Sequence, residues 1–199
     1  MRLIQHDSDI SAYLAEDEVI DHRHPLVRET SERLGAETVD AYAYASAAFA
    51  FVRDSIPHSM DTGDPRVTWR ASDVLAARTG ICYAKSHALT ALLRAAGIHA
   101  GLCYQRLAGS DGTDLVIHGL VAVRLPGWER WVRQDPRGNV GGIDARFSAD
   151  EERLAWVPRP EFNEMDYPVV YAVPHAATLH ALRSSRDRAE LGRNLPATL

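Results

Sequence analysis

Cys82 stands in Gly80-Ile81-Cys82-Tyr83-Ala84-Lys85-Ser86, just after a glycine and just before an apolar run with helical spacing. That context puts its sulfur at a helix N-terminus, where unpaired N–H groups and the helix dipole favour a thiolate. Downstream, His118 falls inside an alternating, strand-like run from Leu115 to Leu125. Asp135 closes the next run, Trp131 to Gln134, ahead of Pro136 and Gly138. A nucleophile on a helix, a base on one strand and an orienting carboxylate on its neighbour are the parts of a cysteine triad. Attack of the thiol on an amide or ester carbonyl would give an acyl-thioester, which water or an amine then resolves.

Each of these residues also has a plainer reading. A lone cysteine is usually a small buried hydrophobe. Cys103, in Leu102-Cys103-Tyr104, is read that way because it lacks the glycine and the helix start. His118 is one of nine histidines, singled out by its strand and by Gly119, which leaves room for a ligand. Asp135 can cap the turn before Pro136, and Asp144 is its rival as orienter; a strand end opposite the His118 strand favours Asp135. His22-Arg23-His24 beside Asp21 reads as exposed polar chain rather than a metal site. His87, five residues beyond Cys82, points about 140° around the helix, so a zinc site shared by Cys82, His87, His99 and Cys103 is not expected. Lys85-Ser86-His87 is read as the polar face of the cysteine helix. No metal and no organic cofactor is expected.

These groups need elements to position them. Pro25 opens a helix running to Leu34. The stretch Glu37 to Asp54 carries Tyr42, Ala45, Phe49 and Val52 at helical spacing and reads as a buried helix stopped by Pro57. His58 to Pro65 reads as a polar loop. Ser72 is the expected N-cap of a short helix, Asp73 to Thr79, which Gly80 ends in a left-handed conformation. Ala84 to Ala96 follows as a core helix with Ala88, Leu89, Leu92, Leu93 and Ala96 in a broad stripe. From Ile98 the pattern alternates: Ile98 to Leu107, Leu115 to Leu125 and Glu129 to Gln134 are strands, joined by links short enough for antiparallel neighbours. Asp150 to Trp156 reads as helical, several prolines mark an extended crossing, and His175 to Arg193 is a final helix. Asp9 to Val19 fits either a strand or a short helix. Helices followed by an antiparallel sheet make an α+β fold.

With 199 residues the expectation is a single domain, 1–199, with a core of about 37–147, an N-terminal segment 1–36 and a C-terminal extension 148–199. A chain of this size buries roughly 70% of its unfolded surface, so it needs no staple. Two cysteines make no disulfide framework, and a net charge of −5 without a basic run gives no sign of a nucleic-acid partner. No apolar stretch approaches the ~20 residues of a membrane span, and the N-terminus lacks a signal-peptide pattern. The expected location is cytoplasmic.

The ordered set of motifs resembles the transglutaminase-like superfamily of papain-fold cysteine enzymes, and is similar in particular to bacterial transglutaminase-like domain proteins labelled as cysteine proteases. The resemblance rests on Ala71-Ser72-Asp73-Val74-Leu75, Thr79-Gly80-Ile81-Cys82-Tyr83-Ala84-Lys85-Ser86-His87, and Cys103-Tyr104-Gln105-Arg106-Leu107. His118-Gly119-Leu120, Asp135-Pro136-Arg137-Gly138-Asn139 and the upstream Val52-Arg53-Asp54-Ser55-Ile56-Pro57-His58-Ser59 also fit. It implies a papain-like core with Cys82 as nucleophile, His118 as base and Asp135 as orienter, acting on a peptide or protein amide. The Cys82 N–H would supply one oxyanion donor. The family's habit of a second, upstream donor points to Trp69, with His58 and Gln105 also capable. Hydrolysis is the expected outcome; acyl transfer or deamidation by the same triad, or a peptide-binding module without turnover, are the alternatives. The long extra domains of animal transglutaminases have no counterpart here, so the resemblance speaks for thiol chemistry more than for crosslinking.

Overall fold

The computed structural model describes residues 1–199. Helix α1 (Pro25–Gly35) begins where His24 accepts a hydrogen bond from the Leu26 N–H, and α2 (Ala41–Ser55) where the Asp40 carboxylate accepts from Ala43. The Asp40 cap is worth about 1 kcal/mol. A short helix α3 (Ser59–Thr62) follows, where a loop is expected from the sequence. Helix α4 (Ala71–Ala77) starts earlier than Ser72 would set it, and Arg70 at its N-cap makes no side-chain cap. Instead the carboxylate of Asp21 accepts from both the N–H and the hydroxyl of Ser72.

Arg78, not Gly80, takes the left-handed position that ends α4 (φ 52°). Gly80 has another task. It pairs with His58 in an isolated parallel bridge, and a Cβ there would lie 2.8 Å from the Ala84 Cβ and 3.0 Å from Thr68 Oγ1. Helix α5 (Cys82–Ala95) is buried from Cys82 to Arg94. Helices α1, α2 and α4 pack against it on one side and strands β2 (His99–Leu107) and β3 (Val116–Arg124) of the sheet on the other.

That sheet has the order β4-β3-β2-β5, built from β2 (His99–Leu107), β3 (Val116–Arg124), β4 (Val132–Gln134) and β5 (Met165–Asp166), with antiparallel neighbours throughout. The long β2–β3 register sets Gln105 opposite His118. Strands β1 (Ile4–Gln5) and β6 (Val169–Val170) form a separate parallel pair. The sheet separates a large core around α5 from a smaller cluster of Tyr13, Cys103, Leu120, Ala122, Val170 and Ala172. The architecture is α+β, as the pattern of helices then strands implies.

Two expected helices differ. Residues 150–156 form no helix, because the Ala155 N–H is spent on Asp135 and the Trp156 carbonyl lies against Gln105. The C-terminal helix is two pieces, α6 (Ala176–Ser184) and α7 (Arg188–Arg193), since Asp187 breaks in as the cap of the second. The Asp9–Val19 region contains a 3-10 turn, Ile10–Leu14. No helix is long and apolar enough to cross a membrane.

The backbone approach at Gly80 yields a test. Gly80→Ala must push α5 away from the preceding chain, an overpacking that costs about 1–3 kcal/mol. Urea unfolding should show a lower midpoint with an unchanged slope.

Candidate active site

Cys82 is the first residue of α5 and is 8% exposed. Its backbone N–H donates to His58 Nε2 at 3.0 Å. His58 is set in place by the bridge to Gly80, in which the Ser59 N–H donates to the Gly80 carbonyl at 3.1 Å. Because a backbone N–H can only donate, Nε2 is the bare nitrogen and the ring proton sits on Nδ1, which has no partner. Burial, then the positive groups of Arg137, Lys85 and His118, push His58 down to about 2, so the ring is neutral. One turn along α5, Lys85 is wholly buried and its Nζ donates to the carbonyls of Arg53 (3.2 Å) and Ile56. Those carbonyls end α2 just before His58, so Lys85 clamps the turn that carries the histidine. Burial brings Lys85 down to about 7, helped by Arg137 and opposed by Asp135, Asp61 and Asp54.

His118 on β3 faces Asp135 at the end of β4, with Nε2 2.9 Å from Oδ2. That bond leaves Nδ1 as the ring nitrogen open to the thiol. Asp135 has no exposure, and its oxygens also accept from the Ala155 N–H (3.0 Å) and the Arg137 N–H (3.1 Å). Burial alone would raise Asp135; the charge and hydrogen bond of His118 and the two amides outweigh it and hold the carboxyl below its ordinary range. For His118 burial works downwards, but Asp135, then Cys82, overcome it and hold the imidazole well above its usual value. The edge of His118 meets Trp156, with ring centroids 4.9 Å apart at 88°. The next residue, Gly119, lets the strand come close to the cysteine helix: a Cβ there would lie 2.8 Å from Tyr83 Cδ1.

Cys82, His58 and His118 line one cavity of about 610 Å³. Its other walls include Leu107, Val116, Trp156, Val157 and Leu195. Leu195 is brought there by the C-terminal segment, whose Pro196 carbonyl accepts from the Ile117 N–H at 2.8 Å. A thiol, an imidazole and a buried carboxylate in series, open to an apolar cleft, can perform nucleophilic acyl chemistry.

The family model of the transglutaminase-like superfamily matches residues 28–136, more than half of the chain and inclusive of Cys82, His118 and Asp135. The chain belongs to the transglutaminase-like superfamily. Its fold is similar to that of a "Putative Cysteine Protease" from Cytophaga hutchinsonii, at 18% identity and a TM-score of 0.54 over 66% of this chain and 43% of that one. The periplasmic domain of TgpA from Pseudomonas aeruginosa also matches, at 23% identity and a TM-score of 0.47 over 64% of this chain and 47% of that domain. The chain thus spans less than half the length of either structure. No curated protein matches it.

In this transglutaminase-like chain the three sequence-selected residues Cys82, His118 and Asp135 come together, and two others do not. Trp69 lies outside the cavity, its ring between the guanidinium groups of Arg70 and Arg183, each 4.5 Å from the centroid. Stacking holds it there, so an oxyanion role for Trp69 has no geometric basis. Asp144 is exposed and pairs with Arg146. Cys103 is fully buried on the far face of the sheet, its thiol pushed up by burial. The expected donor at Cys82 N–H is already engaged by His58, because the Gly80 bridge presents that ring to the helix start. Lys85 and His87, read as a polar face, are interior: His87 Nδ1 bonds the Trp69 carbonyl at 2.8 Å. Sequence reasoning missed Trp156 and the Ala155 amide. Apolar residues on every face of Ala84–Ala96 were the available sign that Lys85 is enclosed.

A raised imidazole has a stability consequence. Its interaction with Asp135 contributes fully below the unfolded value of about 6.5 and is lost as pH rises through the higher folded value. The difference in urea midpoint between the native chain and Asp135→Asn should be largest near pH 6 and shrink by pH 10. A difference that does not narrow would count against a charged His118.

Proposed function

We propose that this superfamily member is a thiol-dependent hydrolase that cleaves a peptide or amide bond through an acyl-thioester on Cys82. The observation that carries the reading is the buried 2.9 Å bond between His118 and Asp135, set in the cavity that Cys82 opens onto. Asp135 fixes the ring so that Nδ1 turns to the thiol, and it stabilises the imidazolium. The sulfur of Cys82 bonds to the carbonyl carbon, the C–N bond breaks, and the amine departs with the proton of His118. Water then attacks the thioester carbon and gives a proton to His118; the C–S bond breaks, the carboxylic acid leaves, and His118 returns that proton to the sulfur.

Charge on the carbonyl oxygen develops at the N-terminus of α5, where the helix dipole favours it. To bind that oxygen, the Cys82 N–H exchanges the neutral His58 nitrogen for an anion, a stronger acceptor. Hydrolysis needs only water as second substrate.

Alkylation by iodoacetamide at pH 7, followed separately at Cys82 and Cys103 by peptide mass spectrometry, tests this. Cys82 should react and buried Cys103 should not. His118→Ala should slow Cys82 by roughly 100-fold, the scale of a lost proton-transfer partner. A Cys82 rate indifferent to His118 removes the mechanism. With amide substrates, product that incorporates an added primary amine would assign acyl transfer in place of hydrolysis.

A further inference from the structure

We propose that the cavity beside Cys82 selects an uncharged, apolar side chain of phenylalanine, leucine or methionine type next to the carbonyl that the thiol attacks. The proposal deepens the hydrolase reading and rests on it. The cleft, about 610 Å³, is walled by Met60, Ile81, Leu107, Val116, Trp156 and Val157. Its volume and composition suit a substrate that buries apolar surface.

The charged groups at the cavity decide the point. Arg137 is bound by Asp61 through two bonds of 2.5 and 2.6 Å. Arg159 is bound by Glu164 at 2.5 and 3.0 Å, and the Glu164 carboxylate also accepts from the N–H groups of Ala108 and Arg159. His118 has Asp135, and neutral His58 spends Nε2 on the Cys82 N–H. Every formal charge on the wall therefore has its counter-ion inside the protein. A substrate carboxylate or ammonium would be desolvated against charges that already hold their partners, and the one unpartnered ring donor, the Nδ1–H of His58, is itself buried. A pocket of this kind separates apolar from polar groups by about 10-fold or more.

The test measures protection of Cys82 from iodoacetamide by the N-acetyl, N′-methylamide derivatives of phenylalanine, leucine, glutamine, lysine and glutamate. It reads binding directly and does not depend on turnover. The phenylalanine and leucine amides should halve the alkylation rate at concentrations at least 10-fold lower than the other three. Val157→Asp should raise the phenylalanine amide's half-protecting concentration several-fold; Val157 is 85% exposed, so folding is not at stake. A glutamine or charged amide that protects as well as phenylalanine overturns the selection. So does an absence of protection by any amide while alkylation still depends on His118, a result that leaves the thiol chemistry standing. Apolar protection with no dependence on His118 would support the apolar pocket while removing the hydrolase reading.

Discussion

A carboxylate with no exposure is costly unless its oxygens are met by donors, a penalty of several kcal/mol in a protein interior. Asp135 meets it with the His118 ring and the amides of Arg137 and Ala155. Much of the chain's second half follows from that requirement. β4 must end at Gln134, the backbone must turn at once so that Arg137 N–H faces back, and residues 148–157 must return to deliver Ala155. Gln134 guides that return, its amide bonding both the N–H and the carbonyl of Ser148. The same path lays Trp156 against His118 and leaves Val157 at the mouth of the cleft.

The helix that bears Cys82 is fixed by polar groups in its interior. Lys85, His87 and Arg94 are buried, and each hydrogen-bonds main-chain carbonyls of neighbouring segments. Lys85 ties down the end of α2, His87 the Trp69 carbonyl, and Arg94 the carbonyls of Ala15, Ala100 and Ala172. Carbonyls left over at the ends of other elements are satisfied by one helix. Cys82 is consequently presented from an element gripped from several directions, which suits a site that must hold its geometry.

Much of this was legible in the sequence, for local reasons. Strand alternation from Ile98 and the apolar stripe of α5 are short-range signals, and Cys82, His118 and Asp135 each sit at an element boundary or strand position that such signals locate. What was not legible depends on partners distant in sequence. The cap of α4 is Asp21, 51 residues from Ser72. The run Asp150 to Trp156 has helical composition, yet its amide is claimed by Asp135, 20 residues upstream of Ala155. Trp69 and His58 were both chemically capable of donating beside Cys82; stacking of two arginines on one and a bridge to Gly80 on the other separated them.

Gly119 bears on how the site can change over evolutionary time. Its missing side chain is the space into which Tyr83 fits, so β3 and the start of α5 touch almost backbone to ring. A methyl group there would wedge the strand off the helix and carry His118 away from Cys82 with all three acting side chains intact. Such a chain would keep Cys82, His118 and Asp135 and lose the close approach of β3 to α5 that sets them round one cavity. For the hydrolysis proposed above, a small residue after the histidine is then as much a requirement as the three side chains themselves.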